Sequence, residues 1–112
     1  MQKKIPFYDL KLGAATVRLA VKTLKSGWLT TGPAVEQFES GIANRLRIQY
    51  VAAVNSATSG LTLALRAVGV KPGSEVITSP FSFVAGVESI LNLGATPVLA
   101  DIDPDTLNID PS

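Results

Sequence analysis

Residues 50–61 read Tyr50-Val51-Ala52-Ala53-Val54-Asn55-Ser56-Ala57-Thr58-Ser59-Gly60-Leu61. The first five form a short apolar run without alternation, the pattern of a strand buried on both faces. The small hydroxyl residues that follow lead into Leu61 to Val68, which is apolar on nearly every side and predicts a helix covered above and below. The same order recurs twice downstream, with a strand over Glu75 to Ser79, a helix over Phe81 to Leu93 and a strand over Thr96 to Ile102. Strands alternating with helices of this length predict βαβ units, a parallel sheet and right-handed crossovers.

Upstream of this run the grammar is helical. In residues 14–25, AATVRLAVKTLK, the apolar Val17, Leu19, Ala20, Val21 and Leu24 recur at mostly helical spacing, with Arg18, Lys22 and Lys25 elsewhere. This predicts an amphipathic helix stopped by Ser26-Gly27. A second helix is expected from Pro33 to about Leu46, capped by Thr31 or Gly32, with Val35, Phe38, Ile42 and Leu46 on one stripe. Between the two lies a Gly- and Thr-rich loop, Gly27-Trp28-Leu29-Thr30-Thr31-Gly32-Pro33.

Composition narrows the chemistry. Of 112 residues, 46% are hydrophobic and 17% charged, against roughly 25% charged in an average soluble domain, so much of the surface is expected to be covered. Ten Lys and Arg oppose nine Asp and Glu, which supplies none of the positive field that nucleic acid or an anionic membrane requires. Cys and His are both absent, which excludes disulfides, a thiol nucleophile, a Ser-His-Asp triad and every His-ligated metal site. No run is long enough to span a membrane, and the start MQKKIPFYDLKLG lacks the apolar core of a secretory signal, so a cytoplasmic address is expected.

In an open α/β sheet a ligand lies at the carboxyl ends of the strands. Three segments reach that edge: residues 55–60, residues 79–86 and residues 101–105. The first brings backbone N–H groups, a helix dipole and the hydroxyls of Ser56, Thr58 and Ser59 to one point, as a phosphate needs; a plain helix N-cap explains the same residues. Neither G-x-x-x-x-G-K-[ST] nor G-x-G-x-x-G is present, so no triphosphate or dinucleotide cradle is indicated. Phe81 and Phe83 are either core aromatics or a flat platform for a planar heterocycle. Asp101 and Asp103 read as a carboxylate pair or as ordinary turn chemistry.

The run Gly27 to Pro33, then Asn55 to Leu61, then Glu75 to Ala85, then Gly94 to Val98 through Asp101 to Thr106, resembles the amino-terminal third of the DegT/StrS group. These are pyridoxal-phosphate-dependent sugar aminotransferases of the aspartate-aminotransferase fold type. The resemblance runs from Ile5 to Pro111, with the motifs in order and at the right spacing. It implies an incomplete α/β fold, with two leading helices and then βαβαβ of a mainly parallel sheet. Residues 1–32 would be a helix and a substrate and dimer loop, and residues 33–112 the first part of the cofactor-binding large domain.

The implied activity moves an amino group from an amino acid, glutamate foremost, to a nucleotide-linked keto-sugar, in a homodimer. Carried over residue by residue, Thr58 and Ser59 would hold the phosphate of pyridoxal 5'-phosphate and Phe83 would stack on its ring. Trp28, Thr30, Thr31 and Tyr8 would be candidates for substrate contact, and no metal is implied. None of Lys3, Lys4, Lys11, Lys22, Lys25 or Lys71 falls in a matching motif, so the family's Schiff-base lysine is expected outside these residues, and the chain reads as a fragment inactive alone. The family's sheet also places later strands between the first and second, which would leave Tyr50 to Asn55 and Glu75 to Ser79 without their usual neighbours. A sugar dehydratase of the same group, and a non-catalytic remnant that pairs with a full-length homologue, are the alternatives.

Overall fold

The computed structural model describes residues 5–28 and 30–111. The chain divides into two compact units, Met1–Ala53 and Val54–Ser112.

The first unit is built on α1 (Ala14–Lys25) and α2 (Pro33–Leu46), with the bounds that the apolar spacing predicts. Ser26 and Gly27 end α1: the Ser26 amide donates to the Lys22 carbonyl at 3.0 Å, and Gly27 takes a positive φ of 73°. A left-handed residue at that point suits glycine, which has no Cβ to clash. Lys22 and Lys25 lie in the last turn, where the helix dipole favours cations. Gly32 is the N-cap of α2 and Pro33 its first residue, which settles the choice between Thr31 and Gly32. The helix closes with the Ile48 amide on the Ala43 carbonyl at 3.0 Å and Arg47 in the left-handed region, a Schellman arrangement with arginine where glycine is usual.

The strand expected over Tyr50 to Val54 does not form. A buried strand exists only through its ladder, and no described strand pairs with these residues. The Ala53 amide instead donates to Glu39 Oε1 of α2 at 2.7 Å.

The second unit holds α3 (Ala57–Ala67), β1 (Glu75–Thr78), α4 (Ala85–Leu91) and β2 (Thr96–Leu99). The two strands are parallel, in register from Glu75 opposite Thr96 to Thr78 opposite Leu99. Bonds from the Thr96 amide to the Ser74 carbonyl (2.8 Å) and from Ala100 to Thr78 (3.0 Å) extend the pairing at both ends. This is the expected incomplete α/β fold: β1 has β2 along one edge and, among the described residues, no strand along the other, where the family resemblance implies that a later strand is inserted. Helix α4 packs against both strands and against α3. The small core is Ala85, Ile90 and Ala95, with Ser89 fully buried among them.

Element limits differ from expectation for local reasons. Helix α3 starts at Ala57 and not Leu61, because Ser56 caps it. Among the described residues α4 packs against α3, while Leu61 and Leu63 are exposed, so the expected cover on both sides is not complete. Helix α4 starts at Ala85 and not Phe81: Pro80 biases Ser79 away from helical angles, and the Phe81 amide is taken by Ser79 Oγ at 3.0 Å. Strand β2 stops at Leu99, and Ile102 pairs in antiparallel fashion with Ile109. Gly94 has a φ of 71° and its hydrogens face Pro72, whose Cγ a Cβ would meet at 3.1 Å. Among the described residues, no helix is long and apolar enough to cross a membrane.

Candidate functional site

Ser56, in extended backbone, is the N-cap of α3. Its Oγ accepts from the Ser59 amide at 3.1 Å and donates to Ser59 Oγ at 2.9 Å. The capping function therefore belongs to Ser56, and the side chains of Thr58 and Ser59 are not needed for it. The Thr58 carbonyl accepts from Thr62 Oγ1 at 3.1 Å and from the buried Ser89 Oγ at 3.4 Å, which ties the first turn of α3 to α4. Among the described residues, the Thr58 hydroxyl has no hydrogen-bond partner. Thr58, Ser59, Thr62, Leu63 and Asn92 border an open depression on this unit. The first turn of α3 carries no acidic residue, so its dipole and leading amides meet no competing carboxylate.

Phe81 and Phe83 lie in the turn ahead of α4 and are 62% and 79% exposed. Within these residues neither ring is covered as a core aromatic would be, which leaves both faces open to whatever packs there in the longer protein. The Asp101 and Asp103 alternatives also resolve. Asp103 Oδ1 accepts from the Thr106 amide at 2.7 Å and the Asp105 amide at 3.1 Å, while Asp101 Oδ1 accepts from the adjacent Ile102 amide at 2.8 Å. Bonds from the Thr106 amide and hydroxyl, then from Asp105, hold the Asp103 carboxyl below its ordinary value. This is turn chemistry, closed by the Asp103 amide on the Asn108 carbonyl and by Leu107 at a φ of 60°.

In the first unit, Trp28 Nε1 donates to the Thr31 carbonyl at 2.7 Å and the Trp28 amide to Ser26 Oγ at 3.2 Å. A cavity of about 260 Å³ opens between α1 and the start of α2, bordered by Lys22, Trp28, Thr30, Gly32, Val35 and Gln37 among others. Thr31 contributes its carbonyl to the turn, and Tyr8 stands exposed in the segment before α1. Ser89 and Gly32 were not singled out from sequence. Ser89 is one hydroxyl in an apolar helix, and Gly32 read only as a cap.

The sequence profile of the DegT/DnrJ/EryC1/StrS aminotransferase family matches residues 11–112. The chain belongs to this family. Among its relatives, the spore coat polysaccharide biosynthesis protein SpsC of Bacillus subtilis (strain 168) is 49% identical over 114 residues, 99% of this chain and 29% of SpsC. Spr1654 of Streptococcus pneumoniae, a candidate sugar aminotransferase solved in both PMP and PLP forms, superposes with a TM-score of 0.88 at 38% identity. That match covers 96% of this chain and 27% of Spr1654. NtdA of Bacillus subtilis, solved with bound cofactor PMP, gives 0.79 at 38% identity over 85% of this chain and 22% of NtdA. The family chain described here thus spans less than a third of the length of these relatives. The resemblance read from the four motif runs is the correct family, and the α/β fragment is its fold.

Proposed function

We propose that residues 1–112 are the amino-terminal part of a pyridoxal-phosphate-dependent aminotransferase acting on a nucleotide-linked keto-sugar, with glutamate as donor, in a homodimer. The observation that carries the reading is the division of labour at α3: Ser56 caps the helix, while the Thr58 hydroxyl, beside Ser59, has no partner among the described residues. Two hydroxyl donors and the leading amides of a helix without first-turn acids fit a dianionic phosphate. Thr58 and Ser59 would hold that phosphate. Phe83, whose ring is exposed, would offer a flat face to the pyridine ring. When bound, the cofactor supplies the electron sink that lets an amino group pass between an amino acid and a keto-sugar. The amine that engages it comes from outside these residues, so the chain alone turns nothing over.

Trp28, Thr30, Thr31 and Tyr8 belong in this reading to the substrate side, with residues 1–32 as the arm that carries them and residues 33–112 as the start of the cofactor-binding domain. The test is to give the intact protein that carries residues 1–112 pyridoxal phosphate, glutamate and a nucleotide keto-sugar, and to follow the products by mass. Amino-sugar formation supports the reading. A deoxygenated sugar product would favour the dehydratase, and no product would favour the remnant.

A further inference from the structure

Trp28 carries one polar side-chain atom, and it is committed: Nε1 donates to the Thr31 carbonyl at 2.7 Å. The indole also lies directly over Gly32, so that a Cβ built on Gly32 would overlap the ring. Gly32 has φ and ψ of −166°, extended backbone open to any residue, so glycine is required there for space and not for conformation. The Gly32 carbonyl in turn accepts from the Val35 and Glu36 amides at 2.9 and 3.1 Å, which makes it the anchor of α2. At the other end the Trp28 amide is bonded to Ser26 Oγ, and Ser26 is the C-cap of α1. Trp28 therefore joins the exit of one helix to the start of the next, across the wall of the cavity that Thr30 and Lys22 also border.

We infer that Trp28 is a positioning residue: its indole, seated on Gly32 and bonded to the Thr31 carbonyl, holds the α1–α2 turn in the shape that keeps Thr30 at the cavity rim. Trp28 acts through the turn and donates no hydrogen bond to substrate. This rests on the reading of the turn as part of the substrate side.

The test is a double-mutant cycle in the intact protein with Trp28→Ala, Gly32→Ala and both together, read on KM, kcat and Tm, with Trp28→Phe as the milder variant. Misplacing a substrate-positioning turn should raise KM for the sugar about tenfold, with kcat changed by less than about threefold. Gly32→Ala should do the same in the wild-type background and add nothing once Trp28 is Ala, because the ring it collides with is gone. Trp28→Phe keeps the ring on Gly32 and loses the bond to Thr31, and should fall between wild type and Trp28→Ala. Additive effects, or a neutral Gly32→Ala, would overturn the inference, as would coupling in Tm with an unchanged KM in an active enzyme. Tm needs no turnover: coupling there in a protein that makes no amino sugar would refute the functional reading while leaving the Trp28–Gly32 clamp in place.

Discussion

Replacing Thr58 and Ser59 together by Ala separates a phosphate cradle from a helix cap, because the structure assigns the cap to a third residue. Ser56 Oγ receives the Ser59 amide at 3.1 Å, so the double substitution leaves the cap in place and removes only hydroxyls. If each hydroxyl donates to a dianionic phosphate, each charge-assisted bond contributes about 1.5 to 3 kcal/mol. At 1.4 kcal/mol per factor of ten, losing both should weaken pyridoxal phosphate binding by roughly 10² or more, short of abolition because the leading amides of α3 remain. Ser56→Ala is the control. It should lower stability by about 1 kcal/mol and leave cofactor affinity, measured on folded protein, within about threefold. Titration by visible absorbance on the intact protein, with urea unfolding of the cofactor-free form, reads both quantities. The reasoning is refuted if the double variant keeps its affinity within about threefold, or if Ser56→Ala carries the larger affinity loss.

The 112-residue chain alone exposes 9808 Å², against about 5,900 Å² for one folded monomer of its mass and about 7,100 Å² for two separate folded units of half that mass. It should self-associate on purification, and light scattering showing a monomer that unfolds cooperatively would contradict this. Ile90, 2% exposed at the centre of the small core, should cost about 2 to 5 kcal/mol on truncation to Ala, measured by denaturant unfolding of the intact protein. The Asp103 turn should depend on acid. Its carboxyl is held below the ordinary value of 3.8, so its contribution is full above that value and lost as pH falls through the lower folded value. Amide exchange at Asp105 and Thr106, the two amides that the carboxylate accepts, should rise in that window, and Asp103→Asn should remove the dependence.

How much was legible in sequence follows from how local each element is. The α1 and α2 limits were readable because the stripe and Pro33 sit within the elements they define and Gly27 lies just beyond the end of α1. Tyr50 to Val54 has the composition of a buried strand, but a strand is completed by a partner that may be distant in sequence, and no described strand supplies it. The hydroxyl cluster was legible as an anion site or a cap and not as one of them, since Ser56, Thr58 and Ser59 are all competent caps by type. The bond from the Ser59 amide to Ser56 Oγ assigns the cap to Ser56 and leaves the anion reading of Thr58 and Ser59 to the cofactor titration. The left-handed Arg47 and Leu107 leave no sequence mark, because neither is Gly or Asn. Ser89 escaped notice for a similar reason, since its burial depends on α3 crossing α4.

The most direct measurement is a crystal structure of the intact protein with pyridoxal phosphate bound. The expected result is phosphate oxygens within about 2.5 to 3.0 Å of both the Thr58 and Ser59 hydroxyls, with the Phe83 ring against the pyridine. A phosphate held elsewhere, with Thr58 and Ser59 facing solvent, would contradict the account.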